Sequence, residues 1–234
     1  MTGLRLLLTC EHGGNRVPAA YRSHFARADR LLRSHRGYDP GALGAARFLA
    51  RRHHAPLIAA TVTRLLVELN RSRGHRGLFS EVTRSLDPGT REEILRRYWE
   101  PHRHRVEAAG AAGTRRGVVL HVAVHSFAPR LGRTTRNAEV GLLYDPRRAE
   151  ERAFCRAWRL AIRGRSPDLR VRLNYPYRGA ADGLTTALRR RFDGAHYLGV
   201  ELELNQGALA DPATRKAVLE TVSAALGEAR AARG

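Results

Sequence analysis

Residues 4–14 read LRLLLTCEHGG, an apolar run that ends on a glutamate, a histidine and two glycines. A second apolar run, residues 117–127, reads GVVLHVAVHSF and also ends near a histidine. A third, residues 197–207, reads YLGVELELNQG and carries two glutamates where a strand is usually apolar. Runs of this kind, without strict alternation, are typical of strands in a mostly parallel sheet covered on both faces. We therefore expect the polar residues at their carboxyl ends to meet at one edge of the sheet.

Amphipathic segments alternate with the apolar runs along the whole chain. Strands are predicted at residues 5–9, 56–60, 65–69, 118–124, 140–144, 171–173 and 197–204. Helices are predicted at residues 40–53, 90–108, 148–162, 183–191 and 212–232. Asp39 and Asp211 each precede a proline, which is the pattern of an N-cap followed by proline at the first helical position. The alternation predicts an α/β fold, and the length of 234 residues suits a single domain over 1–234.

The composition limits the classes of function. The net charge of +20 would ordinarily suggest nucleic-acid binding. However, the basic residues are scattered arginines with one lysine, Lys216, aromatic residues make up only 6%, and no nucleic-acid-binding module is recognisable. No apolar stretch approaches the roughly 20 residues of a membrane span. The chain starts without a secretory pattern and has two cysteines, Cys10 and Cys155, so we expect a cytoplasmic protein with neither a membrane nor a nucleic-acid partner.

Histidines at two strand ends suggest a metal site. His12 and His125 are each followed by small residues, and catalytic zinc typically has three protein ligands and one open position. Glu11 is the first choice for the third ligand. Because neighbours in a strand face opposite ways, Glu11 can join His12 only if the chain turns at the following glycines. Asn15 and Asp39 are the alternative third ligands.

Other polar residues of the predicted strands have separate interpretations. Glu201 and Glu203 share one face of a strand; we expect Glu201 to pair with an arginine and Glu203 to be a general base. Asn70-Arg71 follows the predicted strand 65–69 and offers donors to a carboxylate. His121 is interpreted as a hydrogen-bonded interior histidine, because four residues of strand separate it too far from His125 to share an ion. The His-rich segment 98–104 is expected on the outer face of a helix broken at Pro101.

Six segments, in order, resemble the N-formylglutamate amidohydrolase family. They are residues 10–18, 35–42, 63–71, 124–127, 174–179 and 203–206. The family is similar in fold to zinc carboxypeptidases and aspartoacylases. The resemblance implies a phosphorylase/hydrolase-like three-layer α/β/α sandwich with a mixed, mostly parallel sheet, and one zinc ion.

The resemblance also implies roles for individual residues. It implies that His12 and His125 hold zinc and that Glu203 activates water. The residues implied for substrate binding are Arg64, Asn70, Arg71, Arg136 and Tyr177. The implied reaction is hydrolysis of N-formyl-L-glutamate, a small molecule, to formate and L-glutamate, as in histidine degradation. The alternatives are a zinc peptidase or deacylase acting on another N-blocked amino acid or peptide and, in a different class, a basic nucleic-acid-binding protein.

Overall fold

The computed structural model describes residues 4–233, and its centre is a six-stranded sheet in the order β2-β1-β3-β8-β6-β7. The strands of this sheet are β1 Arg5–Cys10, β2 Leu57–Ala59, β3 Val119–Phe127, β6 Val140–Leu143, β7 Val171–Leu173 and β8 Tyr197–Asn205. All neighbouring strands are parallel except β6 and β8, which are antiparallel. Two further strands, β4 Arg130–Leu131 and β5 Thr134–Thr135, form a small hairpin. The prediction of a mixed, mostly parallel sheet is confirmed.

Helices cover both faces of the sheet. They are α1 Asp29–Leu32, α2 Ala42–His53, α3 Pro88–Ile94, α4 Glu100–Thr114, α5 Ala149–Arg165, α6 Leu184–Arg191, α7 Gln206–Ala210 and α8 Pro212–Ala231. The main core packs α2, α5 and α8 against the even-numbered residues of the central strands, such as Leu8, Val122 and Leu202. On the opposite face, α4 and α6 pack against odd-numbered residues. The expected three-layer α/β/α architecture is therefore present.

Strands β3 and β8 set the geometry of the site. Every residue of β3 is buried, and so is every residue of β8 except the half-buried Glu201. The two strands pair over nine positions in parallel register, from Val119 beside Tyr197 to Phe127 beside Asn205. This register places His125 directly beside Glu203 at the carboxyl end of the sheet. Both residues are on the α4–α6 face, because alternate side chains of a strand point the same way.

The predicted strand 65–69 is wrong. Residues 63–87 contain no regular strand, and four apolar residues of the predicted strand, Leu65, Leu66, Val67 and Leu69, are buried in a second, smaller core with Tyr21 and Ile94. Side chains replace the missing sheet partners: the Thr83 hydroxyl donates to the carbonyl oxygens of Leu65 and Leu66 at 3.2 and 3.1 Å. A short apolar run has the same appearance in a strand and in a buried loop, so periodicity could not separate them.

Of the two predicted aspartate caps, one is confirmed and one is wrong. Asp211 accepts a hydrogen bond from the Thr214 N–H at 2.7 Å and caps α8 as expected. Helix α2 instead begins after Gly41, whose φ of +83° is in the left-handed region that favours glycine. The Asp39 side chain points away from the helix and towards the two histidines at the strand ends.

The helix predicted at residues 90–108 forms as one continuous rod with a wider turn. Between α3 and α4, residues Leu95–Trp99 adopt a π-helix. Pro101 lacks an N–H and cannot donate to the carbonyl oxygen of Arg97, so the turn before it loses its regular hydrogen bonding. The sequence predicted a break at Pro101. This prediction is wrong, because the helix continues through Pro101 to Thr114. Within residues 4–233, no helix combines the length and apolarity needed to cross a bilayer.

Candidate active site

His12, Asp39 and His125 meet at the carboxyl end of the sheet. His12 follows β1, His125 lies in β3, and Asp39 precedes α2. Asp39 Oδ2 is 3.2 Å from His12 Nδ1 and 3.0 Å from His125 Nδ1. All three side chains are buried. The chain turns directly after His12 at Gly13, where a Cβ atom would come within 2.8 Å of the Ala60 carbonyl oxygen.

A second carboxylate contacts each histidine at its other ring nitrogen. His12 Nε2 makes a very short contact with Glu68 Oε1. His125 Nε2 lies 3.2 Å from Glu11 Oε2. Arg64 joins the two carboxylates around His12, since it donates to Glu68 Oε2 at 2.7 Å and to Asp39 Oδ1 at 3.1 Å. Each imidazole is thus held between two carboxylates.

The charges in this cluster influence one another strongly. Burial by itself raises the pKa of Asp39, but the His12 and His125 rings and Arg64 bring it well below its usual range. Burial likewise raises the pKa of Glu68, and Arg64 and His12 more than offset it. Burial lowers the pKa of both imidazoles, yet their carboxylate neighbours raise it above the ordinary value. The cluster therefore favours positive charge at the two histidines.

The three central residues could hold a metal ion. One ligand atom from each of His12, Asp39 and His125 lies within 4.8 Å of the others. Two imidazole nitrogens and a carboxylate oxygen form a donor set that zinc accepts, and a divalent cation would supply the positive charge that the surrounding carboxylates favour. Glu11, the first choice for the third ligand, is not in this group and lies at the far nitrogen of His125. Asn15 donates to the Leu32 carbonyl oxygen, so of the two alternative third ligands Asp39 is the one that lies with the two histidines.

Glu203 lies beside this cluster. The residue is 5% exposed, and its Oε2 atom has no hydrogen-bond partner within residues 4–233. Burial raises the pKa of Glu203 to about 8; the Asp39 and Glu201 carboxylates add to the effect, while the His125 ring opposes it. A carboxyl group with a pKa near neutrality can both accept and return a proton.

The expectation for Glu201 is wrong. Its Oε1 atom accepts a hydrogen bond from the Thr185 hydroxyl at 2.8 Å, and no arginine among residues 4–233 forms an ion pair with it. Glu201 instead lines the same cavity as Glu203. The polar partner of Glu201 is therefore a hydroxyl group of α6 and not an arginine.

The cavity beside the cluster has a volume of about 440 Å³. The predicted residues Arg64, Asn70, Arg71 and Tyr177 line it, together with His12, Asp39, His125 and Glu203. Arg136 lies behind Tyr177 and donates to its hydroxyl at 3.1 Å. A larger cavity of about 560 Å³ is lined in part by Arg5 and His53 near the other end of β1, and none of its lining residues within 4–233 is acidic.

Several of the predicted substrate residues already have protein partners. Arg64 is occupied by Asp39 and Glu68. Asn70 accepts from the Leu184 N–H at 2.6 Å through Oδ1, and its amide nitrogen makes no hydrogen bond within residues 4–233. One nitrogen of Arg71 donates to the carbonyl oxygens of Asn70 and Asp182 at 3.0 and 2.6 Å.

Two groups of residues at the site were missed from the sequence. Arg178 lines the cavity, is exposed, and makes no side-chain hydrogen bond or ion pair with residues 4–233. It is adjacent to the predicted Tyr177, but one arginine in an arginine-rich chain gives no distinct signal. His102 and Arg103 were expected on the outer face of a helix, yet both are buried. His102 Nε2 lies 3.5 Å from Glu11, and Arg103 donates to the Arg71 carbonyl oxygen at 2.8 Å.

Comparison with known proteins places this chain in a family. The family model described as N-formylglutamate amidohydrolase matches residues 4–209. The fold is similar to a crystal structure of gene product Atu2144 from Agrobacterium tumefaciens, with 27% identity, a TM-score of 0.83, and coverage of 99% of this chain and 91% of that one. It is also similar to N-formylglutamate amidohydrolase from Ralstonia eutropha JMP134, with 18% identity, a TM-score of 0.66, and coverage of 99% and 95%. No curated protein matches the sequence.

The family model covers most of the chain and includes every residue of the buried cluster. The family acts on amide bonds, which agrees with the expected class of reaction. The chain therefore belongs to the N-formylglutamate amidohydrolase family.

Proposed function

We propose that this protein is a zinc-dependent amidohydrolase that cleaves an N-acyl amino acid, with N-formyl-L-glutamate as the first candidate substrate. The observation that carries the proposal is the convergence of His12, Asp39 and His125 beside Glu203 in one cavity. We propose likewise that the chain acts as one catalytic domain. In this proposal His12, Asp39 and His125 hold the cation, which when bound polarises the amide carbonyl and acidifies water.

Glu203 is proposed to transfer the proton. Its carboxylate accepts a proton from the attacking water as the new carbon–oxygen bond forms, and returns it to the amine nitrogen as the carbon–nitrogen bond breaks. The side chain is well placed for this role, because it is paired in register with His125 and one of its oxygens is unpartnered. Burial raises the pKa of Glu203, which makes its carboxylate a stronger base than an exposed one.

The remaining donors of the cavity are proposed to orient the substrate. The free amide nitrogen of Asn70 and the unused guanidinium nitrogens of Arg71 suit one carboxylate. Arg178 suits a second carboxylate, such as the side chain of glutamate. Tyr177, steadied by Arg136, forms the adjoining wall. We assign Arg64 to hold Asp39 and Glu68 instead of the substrate, since both carboxylates already occupy it.

The proposal is tested by metal analysis and product assay of the purified protein. We expect about one zinc per chain by elemental analysis and formate release from N-formyl-L-glutamate that stops when a chelator removes the metal. A protein that takes up no divalent metal, or that hydrolyses no N-acyl amino acid when loaded, would contradict it.

One observation favours a second candidate, a deacylase or peptidase acting on another N-blocked acid. Glu201 and Asp182 line the cavity together with the arginines, and acidic groups disfavour a substrate with two closely spaced negative charges. Comparing kcat/KM for formyl, acetyl and peptidyl derivatives of acidic and neutral amino acids separates the candidates. A preference for peptidyl derivatives of neutral residues would favour the second.

The role of Arg178 is tested in the same assay. Because a hydrogen-bonded charge pair contributes about 1.5–3 kcal/mol, Arg178→Ala should lower kcat/KM for a dicarboxylate substrate roughly 10- to 100-fold. The loss should be in KM, since the residue contributes to binding. Arg190→Ala, which removes another exposed arginine outside this cavity, is the matched control for net charge. Equal kinetics in the two variants would exclude the assignment.

A further inference from the structure

Glu11 is buried between two histidines on the side of His125 that faces away from Asp39. Its residue exposure is 1%. Oε2 lies 3.2 Å from His125 Nε2, and Oε1 lies 3.5 Å from His102 Nε2. Both contacts are ion pairs, and none of these four atoms makes a hydrogen bond of regular geometry within residues 4–233. A buried carboxylate is costly unless it is paired, so these two imidazoles are its available partners.

His12 and His125 have matching contacts at both of their ring nitrogens. Both direct Nδ1 towards the same oxygen of Asp39. Both direct Nε2 towards a separate buried carboxylate, which is Glu68 for His12 and Glu11 for His125. A histidine that binds a metal through one nitrogen generally donates the N–H of the other nitrogen to a carboxylate or carbonyl group.

We propose that Glu11 is a positioning residue: it accepts the Nε2–H of His125 and thereby holds the ring with Nδ1 directed towards the point shared with His12 and Asp39. His102, on α4, restrains Glu11 by contacting its second oxygen. The inference rests on the proposed metal centre, but it assigns a role to a residue outside the ligand group. Glu11 acts on metal affinity through His125 and has no contact with the substrate cavity.

Two other roles make different predictions. If Glu11 only filled a buried space, its replacement would lower the stability of the fold and leave metal affinity unchanged. If Glu11 were itself a ligand, its replacement would change the coordination number of the bound ion. A positioning role predicts weaker binding with unchanged coordination.

The experiment measures the zinc dissociation constant of the folded protein by competition with a chromophoric chelator. We expect Glu11→Ala to weaken zinc binding by roughly 10- to 100-fold. Glu11→Gln, in which an amide oxygen can still accept the Nε2–H, should lose less. Glu151→Gln is the matched control, because Glu151 is equally buried and pairs with Arg189 away from the cluster. It should lower stability without changing the dissociation constant.

A second measurement separates positioning from ligation. The absorption spectrum of the Co²⁺-substituted protein should keep the same band positions and intensity in wild type and Glu11→Gln. A changed coordination spectrum, or zinc affinity equal to wild type in both folded Glu11 variants, would overturn the inference. If Glu11→Ala does not fold, the zinc dissociation constants of Glu11→Gln and His102→Gln are compared with that of the wild type instead. Wild-type protein that binds no zinc would instead contradict the proposed function itself.

Discussion

Glu203 and Glu201 are two residues apart on one strand face, yet their surroundings differ. Glu203 is beside His125 and has an unpartnered oxygen, whereas Glu201 is held by the Thr185 hydroxyl. Burial separates them further, because Glu203 is buried and Glu201 is half-buried. The pair therefore offers a direct comparison of one proposed catalytic carboxylate with a neighbour of the same chemistry.

Replacing Glu203 by glutamine should abolish proton transfer and keep the shape of the site. We expect kcat to fall by about 10²- to 10⁴-fold, the usual contribution of general acid–base catalysis, with zinc content unchanged. Glu201→Gln is the control and should retain kcat within about tenfold under saturating substrate, because its carboxylate takes no part in the proposed transfer. Steady-state kinetics with metal analysis tests both variants. Normal turnover in Glu203→Gln would exclude the role.

For single residues, the sequence predicted where the side chains lie in the fold better than which side chains they contact. The sequence predicted that His12 and His125 lie close together, because each is at the carboxyl end of an apolar run and these ends meet at one edge of the sheet. Asp39 was predicted both as a helix cap, since Asp-Pro normally marks a helix start, and as an alternative third ligand. The turn at Gly41 starts α2 later, so that the Asp39 side chain is free to point towards the histidines. The contacts of Glu11 with two distant histidines depend on tertiary packing, which local spacing does not contain.

Among the elements, the central strands are joined by a buried polar group. His121 in β3 lies 2.8 Å from the Thr9 hydroxyl of β1 and 2.7 Å from the Tyr197 hydroxyl of β8, so the interior, hydrogen-bonded histidine expected from the sequence is present. Burial lowers the pKa of His121 to about 4. The ring is therefore neutral in the folded protein at pH values where an unfolded chain would begin to protonate it.

This pKa difference makes stability depend on pH. The stabilisation from neutral His121 is complete above the unfolded pKa of about 6.5 and is lost as the pH falls towards the folded value of about 4. Within that window the group contributes a slope of up to about 1.4 kcal/mol per pH unit to the free energy of unfolding. Urea unfolding of the protein and of His121→Asn at pH 7, 6 and 5 measures it. Identical slopes for the two proteins would contradict the expectation.

Elements with long, regular patterns were predictable and irregular ones were not. The five predicted helices are all present. The turn at Gly41 delays the start of α2, and a π-helical turn before Pro101 interrupts the regular bonding inside the helix predicted at 90–108. The segment 65–69 has the composition of a strand but lies under a separate core, where side chains bond its backbone. Its position depends on residues 17–37 and 78–99, which no short window includes.

For the whole molecule, bound metal and folding should be coupled. The proposed ligands come from three distant parts of the chain, so an unfolded chain cannot present them together. A ligand that binds only the folded state stabilises it by about 2.7 kcal/mol at one hundred times its dissociation constant. Removal of the metal should therefore lower Tm by roughly 5–10 °C in a chain of this size.

Thermal unfolding with and without a chelator measures this effect, and added zinc should restore the original Tm. His125→Ala, which removes one proposed ligand, should respond much less to either treatment. A Tm that is independent of metal in a protein shown to bind zinc would contradict the coupling.

The fold class and the family were predictable because they depend on the order of many segments along the chain. The net charge of +20 is also a property of the whole chain, but a surplus of arginines scattered along the sequence says little about function. The placement of α4 was not predictable, because its sequence looks polar and solvated. Its His102 and Arg103 are nevertheless buried, and they contact Glu11 and the Arg71 carbonyl oxygen.

The two sides of the cavity have different origins in the chain. Two of the three residues that could hold a cation come from the ends of β1 and β3, whereas the loops at residues 68–71 and 174–183 carry the groups that face the rest of the pocket. Loops tolerate insertion and substitution far better than buried strands do. Substitutions in these loops should therefore change the shape of the pocket more readily than they change the residues that could hold a cation.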